Sequence, residues 1–115
     1  MTVLRDVTDM TSLCSRDDLI ENAGVCALYN DEQLAIFYLP DSEQKVYALN
    51  NHDPFSGANV LSRGIVGSLG DTTVVASPIY KQHFDLLTGT CIEDAEVKIK
   101  TYPVDLVDDQ VMIRV

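Results

Sequence analysis

Apolar positions along this chain fall into short runs, each closed by turn-forming residues. Residues 25–29, 34–39, 45–49 and 72–76 read as strands, rich in Val, Ile, Leu, Tyr and Phe. The run 34–39 is almost wholly apolar, which predicts a strand buried on both faces or central in a sheet. Asn30-Asp31 is a turn, because both residues tolerate the left-handed region, and Pro40-Asp41-Ser42 ends the strand before it. Residues 97–102 alternate, with Val97, Ile99 and Thr101 on one face and Lys98, Lys100 and Tyr102 on a wet one. Residues 104–107 and 111–115 flank Asp108-Asp109-Gln110 as a hairpin. A first edge strand is expected over residues 1–11. Ser15 followed by Arg16-Asp17-Asp18 supplies a cap and acids for one helical turn over residues 18–21. Many short strands with little helix predict an all-β sandwich or barrel.

Glycines 57, 64, 67 and 70 mark a turning chain rather than a helix. Gly64-x-x-Gly67-x-x-Gly70 lacks the G-x-G opening of the dinucleotide fingerprint, and no helix follows it. No internal repeat, low-complexity segment or linker divides the chain, so residues 1–115 are expected to form one domain. Hydrophobic residues at 46% and charged residues at 23% suit a globular domain with a single core.

Eighteen acids against eight bases give a formal charge of -10. Such a chain repels phosphate backbones and anionic lipid, which argues against nucleic acid and membranes as partners. It can be steered toward a protein surface of opposite sign. The three cysteines, Cys14, Cys26 and Cys91, make no Cys-x-x-Cys pair and no disulfide framework, and read as small core hydrophobes. The opening M-T-V-L-R-D-V-T-D-M lacks the apolar region of a signal peptide, and no apolar run is long enough to span a membrane. A reducing cytoplasm fits this pattern.

Two Pro-bearing loops carry the candidate chemistry. The first is Asp53-Pro54-Phe55, and the second is Ser77-Pro78-Ile79-Tyr80. A short hairpin separates them, and the second leads into Phe84-Asp85-Leu86 and the turn Thr88-Gly89. This spacing resembles a Rieske domain, in which a Cys-x-His loop and a Cys-x-x-His loop grip a two-iron cluster. Laid on that pattern, the ligand positions fall at Asp53, Phe55, Ser77 and Tyr80, and none is Cys or His. A Rieske centre needs two thiolates and two imidazoles. Asp53 and Ser77 offer hard oxygens, Phe55 offers no lone pair, and Tyr80 would have to ionise. The resemblance therefore implies a Rieske-like antiparallel β sandwich or barrel whose two loop tips have lost the cluster they would hold.

Further motifs narrow the resemblance. They are G-V-C-A-L from Gly24, D-P-F from Asp53, V-L-S-R-G from Val60, A-S-P from Ala76 and C-I-E-D from Cys91. Together they resemble the small subunits of bacterial NADH-dependent nitrite reductases, over nearly the whole chain. That resemblance implies a cytoplasmic partner, a large subunit carrying FAD, siroheme and a four-iron cluster, which reduces nitrite to ammonium. This chain would then hold no cofactor and carry no catalytic residue. Two other readings are a free-standing acidic binding module and an electron-transfer ferredoxin.

His52 and His83 fall beside the loops but at none of the four positions, so both read as surface or hydrogen-bonding histidines, with a residual ion near them left open. A hydrolase built on Ser77, His83 and Asp53 is opposed by the missing G-x-S-x-G elbow and by Pro78. Arg63 and Lys81 border the loops and are candidates for docking a partner. If a cluster once pinned the loops, its loss leaves a void that must be filled. Phe55 and Tyr80 are expected to close that gap with their rings, and Asp53 or Ser77 to hydrogen-bond the opposite loop.

Overall fold

The computed structural model describes residues 10–114. These form ten strands: β1 (Met10–Ser15), β2 (Ala23–Tyr29), β3 (Glu32–Tyr38), β4 (Val46–Asn50), β5 (Ile65–Leu69), β6 (Thr72–Ala76), β7 (His83–Asp85), β8 (Thr101–Tyr102), β9 (Val104–Val107) and β10 (Gln110–Arg114). They pair into three sheets, ordered β1-β10-β9, β2-β3-β4-β8 and β5-β6-β7, and every strand pairing within these sheets is antiparallel. The only helical pieces among the described residues are two 3-10 turns, Arg16–Asp18 and Leu61–Arg63, and none is long and apolar enough to cross a membrane.

Strand β3 explains the layering. Successive side chains on a strand point to opposite faces. Ala35 and Phe37 enter one core with Tyr47 and Leu49 of β4, Val75 of β6 and Phe84 of β7. Leu34 and Ile36 enter a second core with Val46, Ala48, Val104, Val111 and Ile113. The sheet containing β3 is thus covered on both faces, as its unbroken apolar run predicts. Leu34, Ala35, Ile36 and Phe37 are all 0% exposed. Each of the larger three contributes about 1.5–3 kcal/mol through its burial.

The turns follow from local chemistry. Asn30 and Asp31 have φ of 49° and 65°, and Asp108 and Asp109 have 50° and 64°. Two consecutive positive-φ residues make the tight turn whose twist matches a hairpin, and Asn and Asp accept that conformation more readily than most residues. Ser15 accepts a hydrogen bond from Asp17 N–H, and Asp18 accepts one from Ser15 N–H, so the expected cap is present.

Several expectations shift. Residues 1–9 of the anticipated first strand lie outside the described residues; Met10 and Thr11 open β1, which is an edge strand. The helical turn comes at Arg16–Asp18 instead of 18–21, and Leu19 is already extended. Val115, the last residue of the expected hairpin arm, also lies outside the described residues. The glycine-rich stretch folds into β5, paired with β6 along its whole length, a strand its composition hides. The alternating run 97–102 yields only Thr101–Tyr102 as a strand. Its inner-face reading holds for Ile99, but Tyr102 is buried at 7% exposure instead of facing water. Tyr102 pairs with Ala48, so it faces the second core, and its hydroxyl donates to Glu32 Oε1 at 2.8 Å. Of the cysteines, Cys91 is buried, Cys14 is half-buried and Cys26, on edge strand β2, is exposed. Cys91 lies in the first core and Cys14 packs against the second, and burial pushes both thiols up from the ordinary range.

Candidate functional site

Loop one spans residues 51–60, between β4 and the 3-10 turn Leu61–Arg63; loop two spans residues 77–82, between β6 and β7. The register of β6 against β7 places Ala76 opposite His83, so loop two leaves and re-enters the sheet at one edge point. Its neck is closed by Ser77 N–H to Gln82 O at 2.9 Å and Lys81 N–H to Ser77 O at 3.1 Å. Loop one is closed by Asp53 N–H to Ala58 O at 2.9 Å and Gly57 N–H to Asp53 O at 2.8 Å. Gly57 has φ of 76°, a conformation that costs glycine nothing.

One hydrogen bond joins the two loops at their centre. Ser77 Oγ donates to Asp53 Oδ2 at 2.5 Å. Asp53 is 0% exposed and Ser77 is 1% exposed. The same carboxylate accepts Phe55 N–H on Oδ1 at 2.9 Å and Ser56 Oγ on Oδ2 at 3.0 Å. Ser77 Oγ in turn accepts Ile79 N–H at 3.3 Å. Burial pushes the Asp53 carboxyl up, but the Ser77 hydroxyl, the Phe55 amide and the Ser56 hydroxyl and amide outweigh it. The group therefore sits below its ordinary value and is a carboxylate at neutral pH.

The other two positions divide. Phe55 is half-buried against the first core, its ring centroid 6.2 Å from that of Phe84. Tyr80 does not fill the gap between the loops: it is 60% exposed, and Ile79 beside it is 44% exposed. The Asp53–Ser77 contact already closes the loops at hydrogen-bond distance, so no room is left for a second ring. Phe55→Ala is expected to lower stability by about 1–2 kcal/mol, less than full burial of the ring would imply. Tyr80→Ala should stay within about 0.5 kcal/mol of wild type. Thermal denaturation of the two variants measures both, and an equal loss from the two would contradict this placement.

A residue the sequence reading passed over holds loop one in place. Asn51 is 2% exposed. Its amide donates to Asn59 O at 3.1 Å and Gln33 Oε1 at 3.2 Å, and its Oδ1 accepts Ser62 N–H at 2.7 Å. The signal is the second of two consecutive asparagines, two residues before Asp53-Pro54, where a side chain that mimics backbone is useful.

The histidines lie apart from this pair. His52 is exposed and its Nδ1 meets Asn59 Oδ1 at 3.0 Å. His83 Nδ1 meets Glu93 Oε2 at 2.6 Å. The Ser77 hydroxyl is committed to Asp53 and His83 to Glu93, so the Ser–His contact of a hydrolase is not formed. Among the described residues, no three His, Cys, Asp or Glu side chains gather as a metal-ligand group. Arg63 and Lys81 are both exposed beside the loops.

Two loops, one leaving β4 of the four-stranded sheet and one joining β6 to β7 of a three-stranded sheet, meet at one buried hydrogen bond, and that arrangement defines a class. The Rieske-like [2Fe-2S] domain model matches residues 9–114, and the chain belongs to that family. Within it, the chain belongs with the small subunits of NADH-dependent nitrite reductases. It is 43% identical to the nitrite reductase (NADH) small subunit of Escherichia coli (strain K12) over 102 residues, 89% of this chain and 94% of that protein. The solution NMR structure of the nitrite reductase [NAD(P)H] small subunit from Erwinia carotovora superposes with a TM-score of 0.77 at 41% identity, covering 94% of this chain and 82% of that one. The nitrite reductase [NAD(P)H] large subunit of Klebsiella oxytoca is 36% identical over 102 residues, 89% of this chain but only 10% of that protein.

The cluster in the family's description does not fit the residues present here. Iron of a [2Fe-2S] centre is held by thiolates or imidazoles. The facing groups at the loop tips are a carboxylate and a hydroxyl already bonded to each other, beside a phenyl ring and an outward phenol.

Proposed function

We propose that this chain is the non-catalytic small subunit of a cytoplasmic NADH-dependent nitrite reductase, docked on a large subunit that holds FAD, siroheme and a four-iron cluster. On this reading the large subunit carries six electrons from NADH to nitrite and releases ammonium, and this chain completes or stabilises the assembly. Asp53, Phe55, Ser77 and Tyr80 stand at the former ligand positions, with residues 1–115 acting as one Rieske-like domain. The observation that carries the proposal is the Asp53–Ser77 hydrogen bond, 2.5 Å long and buried, across the two loops of a chain with these relatives. A family member built for electron transfer needs soft donors there. The match to a short part of the Klebsiella oxytoca large subunit supports the association, since there a similar segment belongs to the large-subunit polypeptide itself.

Two measurements test this. Nitrite-dependent NADH oxidation by the large subunit should rise, or persist longer, when this chain is added, and the two should co-elute on size exclusion. Iron analysis of the separately purified chain should give far less than two irons per molecule. Failure of the chains to associate, with no change in activity, removes the proposed role; stoichiometric iron and sulfide would restore the ferredoxin reading.

A further inference from the structure

A groove of about 320 Å3 lies beside loop one, lined by Asn50, His52, Pro54, Lys98, Ile99 and Lys100. It is the opposite of the rest of the molecule in charge. The chain has eight Lys and Arg against eighteen acids, yet two of those lysines and one of its two histidines line this one groove. Elsewhere, Arg16 and Arg114 are already paired with Asp109 and Asp105. Lys98 is exposed and forms no ion pair among the described residues. Lys100 is held over the Tyr102 ring at 4.9 Å and reaches Glu32 only at 3.8 Å, its side chain 65% exposed.

The backbone beneath these lysines is fixed. Lys98 bridges Thr90, Ile99 N–H donates to Gly89 O at 2.8 Å, and Asn50 N–H donates to Lys100 O at 2.9 Å. Gly89 makes this possible: with φ of 79°, any side chain there would run into the Ile99 carbonyl. The two lysines therefore project from a rigid ledge between β4 and the 88–90 turn, next to the candidate site.

We propose that this groove docks an acidic segment of the large-subunit partner, and so fixes the orientation in which the small subunit binds. The proposal rests on the large-subunit partnership above. Exposed lysines over an open groove suit a carboxylate-bearing surface of a protein more than a small anion, which is usually enclosed by buried donors. On a chain with a charge of -10, most of the surface repels an acidic partner, and a groove lined by two lysines attracts it. Attraction at one place and repulsion at the others is how charge selects a single docking geometry.

The test compares charge reversals of equal size at two places. Lys98→Glu removes the unpaired groove cation. Lys45→Glu makes the same change in net charge just before the first residue of β4, whereas the groove residue Asn50 ends that strand. Binding of the full chain to the large subunit would be measured for wild type and both variants at low and high ionic strength, with circular dichroism checking that each variant folds. Lys98→Glu should weaken binding about tenfold at low salt, with the difference shrinking at high salt, while Lys45→Glu changes it far less. Equal effects of the two reversals, or none from Lys98→Glu while wild type binds, overturn the groove as the docking point. If wild type itself fails to bind, both the groove and the partnership fall.

Discussion

Asp53→Ala is expected to lower the unfolding free energy by about 3–5 kcal/mol, because three donors to a buried carboxylate lose their acceptor together. Those donors are Ser77 Oγ, Ser56 Oγ and Phe55 N–H, and the carboxylate they share is 0% exposed. A domain of this size has only about 6–17 kcal/mol of stability in all, so the loss should lower the melting temperature by more than about 10 °C. Ser77→Ala should cost less, about 1.5–3 kcal/mol, since the carboxylate keeps its two loop-one donors. Hydrogen exchange should rise in both loops in each variant. An Asp53→Ala protein as stable as wild type would remove the pair from its central place.

The same carboxylate makes the stability pH-dependent in a stated direction. Burial raises its pKa, but the hydrogen bonds from Ser77, Phe55 and Ser56 win, and the folded value lies below the ordinary one. The network's contribution is therefore complete above the unfolded carboxylate value of about 4, and is lost as pH falls through the lower folded value. Asp53→Asn keeps the shape and removes this titration. The stability gap between wild type and Asp53→Asn should be constant near neutral pH and narrow as the solution is acidified below about pH 5. A gap that widens in acid would contradict the assignment.

Phe84→Ala is expected to cost about 3–5 kcal/mol, the loss seen when a fully buried aromatic ring is emptied from a core. Phe84 is 0% exposed, pairs with Val75 across β6 and β7, and bridges Cys91. Its ring also lies 6.2 Å from that of Phe55, so the cavity opens directly beneath loop one. Denaturant titration should show the midpoint falling with little change in slope, and Phe55→Ala should add less than its full single-mutant cost in the double variant. Full additivity of the two would mean that the rings do not share a packing site.

The central strands were legible because their signal is local. An apolar run at 34–39 and the turn pairs Asn30-Asp31 and Asp108-Asp109 can be read from residue type alone. Strand β5 was not legible, since Ile65–Leu69 carries Gly67 and Ser68 and is held by its ladder to β6. The alternation of residues 97–102 points Tyr102 toward water. Whether the outer face of β8 is wet depends on β9 and β10 lying across it. Residue type alone points Cys26 to the core, whereas its place on an edge strand leaves it exposed.

At the loops the division is equally physical. Residue type alone sets which atoms are available: two oxygens, a phenyl and a phenol where thiolates and imidazoles would be needed, and so which metal chemistry these positions cannot support. How those atoms are used depends on the folded chain. Folding brings Asp53 and Ser77, 24 residues apart, into one buried hydrogen bond, packs Phe55 on Phe84 and turns Tyr80 outward. Donor chemistry is a property of each residue, whereas distance and burial are set by the sheets that carry the two loops toward each other.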